Sequence, residues 1–432
     1  MGRRLSRFNP IAITGIGRPL DAPPTPEQAA ANIRHLVWDI VWFGVLVGTT
    51  INFIQVYVVR LGASSLLVGA VTYGPALVNV FWQLPAARLM VRTGWRMRWM
   101  MISGFTHRLA YPLIALTPLL VQDGRPEITV MVLILQAFPV AVANTSFLSM
   151  MADAMPADRI TQIIGWRMAG LGVTTTLSTL LAGQILQRLP FPTNYQLLFM
   201  VGWIASLVSS WHISQLRVPD RPPQRAAGEG WLRQLGGVLR HPRFGRFLIA
   251  VGVLQLAIGM LAPLLPLYWV RRLSATDEQI SILVTVASAA AVLGSLLMRR
   301  TVGRIGRSRA LAVGILGFAS YPLLTSLSPT VWWLMPWAAL AGLFNSAITV
   351  TLFDNLVALT PETDRTNYIA TFNACANVAL FAGPLFAGLL AAGPCGPIIG
   401  LWIAAAIMLL AGVMVVLWFA RSRSPSAQTT GV

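Results

Sequence analysis

Twelve stretches of about 20 mostly apolar residues follow one another along this chain of 432 residues, and no other property restricts its fold so tightly. A helix needs roughly 20 apolar residues to cross the ~30 Å hydrocarbon layer of a bilayer. Only helices and closed barrels can satisfy their backbone polar groups there. The runs lie near 36–59, 66–90, 99–121, 128–151, 165–187, 195–215, 247–270, 279–298, 309–327, 331–353, 368–392 and 397–420. With 56% apolar and 11% charged residues, the composition excludes an ordinary soluble protein. The expectation is an all-α membrane protein with twelve transmembrane helices.

Residues 216–246, rich in Arg, Pro and Gly, separate six spans from six. The predicted organisation is an N-terminal tail 1–35, a six-helix bundle 36–215, a linker 216–246, a second bundle 247–420 and a C-terminal tail 421–432. All 32 basic residues are Arg. Without Lys the chain cannot supply a P-loop lysine, which argues against an ATP-driven transporter. Of these arginines, 26 fall in one alternating set of connections and five, Arg60, Arg125, Arg188, Arg271 and Arg272, in the other. Basic residues in short loops stay in the cytoplasm, so both termini and the linker are expected there. The net charge of +18 is spread between apolar runs and builds no single basic face for nucleic acid. Cys375 and Cys395, and the four histidines, lack metal-ligand spacing. Neither metal nor cofactor is expected, and no converging nucleophile or acid–base set points to an enzyme.

An internal repeat supports the division. YVVR at Tyr57 matches YWVR at Tyr268, an offset of 211 residues. VRTGWRMR around Gly94 matches GRIGRSR around Gly306 at 212, and Tyr111-Pro112-Leu113 returns as Tyr321-Pro322-Leu323 at 210. NTSFLSMMAD at Asn144 matches NSAITVTLFD at Asn345, and DRITQI at Asp158 matches DRTNYI at Asp364. Five pairs in one order imply two halves on one plan.

With twelve spans, two halves and a long middle connection, the sequence resembles the major facilitator superfamily over residues 30 to 420. The family's signature between its second and third spans, G-x-x-x-D-R-x-G-R-R, is degraded. Ala87, Val91, Arg92, Gly94 and Arg96 stand in one copy; Arg299, Gly303, Arg304, Gly306 and Arg307 stand in the other. Its acidic position is Val91 or Gly303. The resemblance implies two pseudo-symmetric six-helix bundles and a cavity lined by the first, fourth, seventh and tenth spans.

Candidate residues follow from charge and polarity inside the spans. Arg92 or Arg96 is expected to pair with Asp153, and Arg304 or Arg307 with Asp354, as gating latches at the cytoplasmic end. Arg108, about nine residues past Trp99, lies near the midplane, where an unpaired charge is costly. It is either an anchor for an anionic substrate or a proton-linked charge, or it is structural, as a carbonyl-bonded arginine between helices or as the partner of Asp39 in an ion pair. Gly44, Gly48, Asn52 and Gln55 share one face of the first span, and map by the repeat onto Gln255, Gly259, Pro263 and Pro266. Asn52, Gln55, Gln136, Gln255 and Asn345 are the expected substrate contacts, followed by Asn373 and Asn377; helix–helix packing is the competing reading of each. The fourth span lacks the Arg-x-x-x-Gly pattern of drug:proton antiporters, and the fifth reads LAGQIL where they carry Gly-Pro.

The expected function is secondary transport of a small organic solute by alternating access in a bacterial-type cytoplasmic (inner) membrane, with efflux one candidate direction and protons one candidate coupling ion. The expected partners are that solute and the lipid bilayer, with the protein a monomer. The alternative is a membrane assembly or pigment-delivery factor, or a sensor, that transports nothing on the same fold.

Overall fold

The computed structural model describes residues 24–93, 95–156, 159–218, 242–360, 365–394 and 396–422. Among them there are helices and no strands. By its contacts the chain divides into two compact units, Met1–Ile54 with Phe81–Gly228, and Gln55–Val80 with Glu229–Val432. The segment 55–80 therefore groups with the C-terminal half, although in sequence it belongs to the first six spans.

In the first unit, α1 (Pro26–Leu46) begins ten residues ahead of the expected span. Its start is local chemistry rather than hydropathy. Thr25 Oγ1 accepts from the Gln28 amide at 3.3 Å, Gln28 Oε1 accepts from the Thr25 amide at 3.0 Å, and Pro26 occupies the first turn. The helix widens into a π turn over Val47–Ile51 before α2 (Ile54–Arg60), which from Gln55 on belongs, with α3 as far as Val80, to the second unit. After α3 (Ser65–Thr93) come α4 (Arg96–Arg108), α5 (Ala110–Leu120), α6 (Arg125–Ala154), α7 (Ile160–Arg188) and α8 (Thr193–Ser214). α1 packs against α7 and α8, α4 against α6, and α5 against α8.

The third expected span is interrupted between α4 and α5 at Leu109. Pro112 has no amide for the Arg108 carbonyl four residues back, and its ring crowds that carbonyl. The Leu109 amide turns instead to Thr106 O at 3.3 Å. Eleven of the described helical segments are long and apolar enough to span a membrane; α4 and α5 end to end supply the twelfth expected run.

The second unit holds α9 (Pro242–Leu267), a π turn at Tyr268–Arg272, α10 (Asp277–Ile305), α11 (Arg307–Leu327), α12 (Leu334–Leu359), α13 (Arg365–Ala391) and α14 (Gly396–Ser422). α12 packs on α10 and α11, α9 on α13 and α14, and α11 on α14. Polarity is inverted relative to a soluble protein. Phe81, Leu119, Leu120, Leu181 and Leu296 are exposed, whereas Asp39, Arg108, Arg167 and Ser209 are buried. An apolar exterior around a buried polar interior is what a bilayer selects.

Candidate functional site

The small-residue face of α1 is a packing seam. A Cβ on Gly48 would stand 2.7 Å from Thr175 O and 2.9 Å from the Thr179 amide nitrogen, so the π turn that continues α1 touches α7 backbone to backbone. Thr175 Oγ1 donates to Gly44 O and Thr179 Oγ1 to Gly48 O, each at 3.4 Å, while Asn52 Nδ2 donates to Thr179 Oγ1 at 3.0 Å. The equivalent face in the second unit does the same. A Cβ on Gly383 of α13 would stand 2.3 Å from Leu256 O of α9, and one on Gly259 would stand 3.2 Å from Pro384 Cδ. What the two halves share along this stripe is close helix contact, with Asn52 built into it. Gln55 turns to Thr72 Oγ1 at 2.8 Å within the second unit.

The structure does not form the expected pair of Asp39 with Arg108. Arg167 Nη2 lies 3.2 Å from Asp39 Oδ2, Arg167 Nη1 donates to Leu36 O, and Ser209 Oγ donates to Asp39 Oδ1 at 2.6 Å. Arg167 stands seven residues inside α7, because that helix begins at Ile160 and not near 165. By sequence it counts with the loop arginines, which hides it as a partner. Arg108 is only 3% exposed and donates to Ser206 O at 2.9 Å and Gly104 O at 2.7 Å. It ties α4 to α8, and both its bonds go to backbone within the unit rather than toward a solute.

The two expected latches differ. Arg96 Nη1 lies 2.6 Å from Asp153 Oδ2 and also donates to Ser149 O at 3.1 Å, joining the start of α4 to the end of α6. Arg92 is exposed, and Gly94 lies outside the described residues. In the second unit Arg304 and Arg307 are exposed, and among the described residues neither forms an ion pair with Asp354. The repeat explains the difference, because the counterpart of Arg96 is Ser308, which donates to Asn355 Oδ1 at 3.4 Å. The same place is bridged by a charge in one unit and by a neutral bond in the other.

Of the remaining candidates, Gln136, Gln255 and Asn377 are half-buried and Asn373 is exposed. Gln136 Oε1 is buried with no partner among the described residues. Asn345 is exposed and lines a cavity of about 290 Å³ within the second unit. Leu265 of α9, Trp269 of the π turn that follows it, Val284 and Ser288 of α10, and Phe318 and Tyr321 of α11 line it. Close approach of two walls defines it: a Cβ on Gly342 would stand 2.0 Å from Ala287 O, so α12 and α10 cannot separate there without loss of contact. Phe318 and Tyr321 stack at 6.2 Å between ring centres.

The polar groups of this cavity are the Asn345 amide, the Tyr321 phenol and the Ser288 hydroxyl, the last donating to Val284 O at 2.8 Å. Trp269 Nε1 is a buried donor without a partner among the described residues. The lining contains no acidic side chain and no arginine or histidine. Sequence reasoning reaches Asn345 but misses the aromatic pair, although Tyr321 stands in a repeat and Phe318 stands one helical turn before it.

The family description Major Facilitator Superfamily matches residues 40–254 and again residues 247–432. The chain belongs to the major facilitator superfamily. This superfamily member also shares its fold with solved transporters. A mutant form of the nucleoside transporter NupG is 12% identical, with a TM-score of 0.69 over 90% of this chain and 100% of that one. A bacterial homologue of the human lysosomal transporter Spinster, inward-facing and occupied, is 13% identical with a TM-score of 0.69 over 92% and 98%. A bacterial homologue of the iron transporter ferroportin, inward-facing, is 12% identical with a TM-score of 0.68 over 91% and 99%. No curated protein matches the sequence. Family and helices together make the protein an integral membrane transporter.

Proposed function

We propose that this superfamily member moves a small, uncharged or amphipathic organic solute across a cytoplasmic membrane by alternating access, with both termini in the cytoplasm. The observation that carries the reading is the open cavity of the second unit, lined by aromatic and aliphatic side chains, with Asn345 exposed and with no charged side chain in its lining. Desolvating a charge there would go uncompensated, and a volume near 290 Å³ suits a small molecule. The arginine asymmetry of 26 to five supports the orientation. Asn52 in the first unit serves packing, so the solute's polar groups meet Asn345 and Tyr321 instead.

A thermal-shift screen of the purified transporter against matched neutral, anionic and cationic solutes tests the class. Stabilisation by neutral solutes that is lost in Ser288→Phe, which fills the cavity, is the expected result. Stabilisation mainly by anions or cations, unaffected by Ser288→Phe, would rule the reading out.

A further inference from the structure

Five arginines run against the positive-inside pattern, and two of them, Arg60 and Arg271, stand at the same place of the internal repeat, 211 residues apart. The structure gives both the same task within the second unit. Arg60, ending α2, donates through Nη2 to Ala275 O and lies 3.0 Å from Asp277 Oδ1, with its Nε a further donor to that oxygen at 3.2 Å. Arg271 donates through Nη2 to Ala63 O and through Nη1 to Ser65 Oγ at 3.2 Å. Ala63 and Ala275 are 212 residues apart in sequence, as are Ser65 and Asp277. Each arginine thus grips the other's turn by one carbonyl and by the side chain two residues further on.

The turns match too. Each reverses through a residue of positive φ, Gly62 at 86° and Ser274 at 49°. Below the clamp, the first half of α3 lies along α13 on small residues. A Cβ on Gly388 would stand 3.2 Å from Leu66 Cα, and one on Gly69 would stand 2.8 Å from Pro384 O.

We infer that Arg60 and Arg271 form a reciprocal clamp on the non-cytoplasmic side that holds segment 55–80 closed on α10 and α13, and that this clamp releases once in each transport cycle. A permanent brace would be served better by apolar packing like that of the seam below it. Instead Arg60 is part-exposed and Arg271 exposed, and each is bonded partly to a backbone carbonyl, an arrangement water can replace. Retaining arginine on the side of the membrane where the rest of the chain avoids it fits a role that topology does not supply. The release step rests on the transport reading; the clamp itself does not.

The test places spin labels at Leu61→Cys and Leu273→Cys in a full-length chain carrying Cys375→Ser and Cys395→Ser, and reads the distance distribution in lipid nanodiscs. A dominant short distance is expected with both arginines present. In Arg60→Gln/Arg271→Gln a longer population should rise against it by about tenfold, the change that one charge-assisted hydrogen bond carries. Arg60→Gln alone, which leaves Asp277 and the Thr276 capping box of α10 in place, should give an intermediate shift. Arg272→Gln, which removes a neighbouring charge, should give none. An unchanged distribution in the double variant, or an equal change in Arg272→Gln, would overturn the clamp. Opening in the double variant without solute flux in the parent would uphold the clamp and overturn the transport reading.

Discussion

Replacing Arg167 with Met isolates a deeply buried ion pair of the first unit. Asp39 and Arg167 are each 4% exposed, and after the change Asp39 would keep one direct partner, the Ser209 hydroxyl at 2.6 Å. Removing one member of a buried ion pair costs about 3–5 kcal/mol, because the other charge stays desolvated. An ordinary interhelical hydrogen bond in a membrane protein averages only about 0.6 kcal/mol. Arg167→Met is therefore expected to destabilise several times more than loss of a single such bond. Asp39→Leu/Arg167→Met should recover a large part, giving a coupling energy of about 2 kcal/mol or more. The same cycle between Asp39 and Arg108 should stay below about 1 kcal/mol, because Arg108 bonds carbonyls instead. Titration with sodium dodecyl sulfate in mixed micelles, followed by tryptophan fluorescence, supplies the free energies. Equal coupling of Asp39 to both arginines, or a near-neutral Arg167→Met, would refute the assignment.

Gly48→Val should destabilise by about 1–3 kcal/mol, since its side chain meets Thr175 O and Thr179 N of α7 and the seam must open; Gly252→Ala, with nothing within 4 Å, should be neutral in the same titration. Arg96→Gln should loosen the junction of α4 and α6 and raise hydrogen exchange at both helix ends, because it removes the 2.6 Å bridge to Asp153. Ser308→Ala, at the repeat-related position, should change exchange little, its bond to Asn355 being neutral and 3.4 Å long.

The twelve-run pattern, the linker and the repeat are legible because membrane burial writes itself into hydropathy over long windows. Helix starts are less so: α1 begins at a capping box whose polar residues carry no hydropathy signal. Arg167 shows the consequence. Placing the start of α7 five residues late leaves this arginine only two residues from the end of the span, where it is counted with the loop arginines, and Asp39 is then matched to the wrong partner. The glycine stripe of α1 does form one face, yet a sequence does not say whether a small-residue face meets solute or another helix. Here the answer lies in α7, whose threonines supply hydroxyls at the register of those glycines. The cavity escapes for a similar reason, since Phe318 and Tyr321 look like ordinary span residues until Gly342 brings α12 onto α10.

Counterflow of a radiolabelled neutral solute identified by thermal shift, in proteoliposomes holding equal amounts of the parent protein or Ser288→Phe, tests the central claim most directly. The account predicts saturable exchange by the parent and its loss in Ser288→Phe with the folded fraction unchanged. Exchange of equal rate in both would contradict the placement of the solute in the cavity of the second unit, and its absence in the parent would contradict transport of that solute.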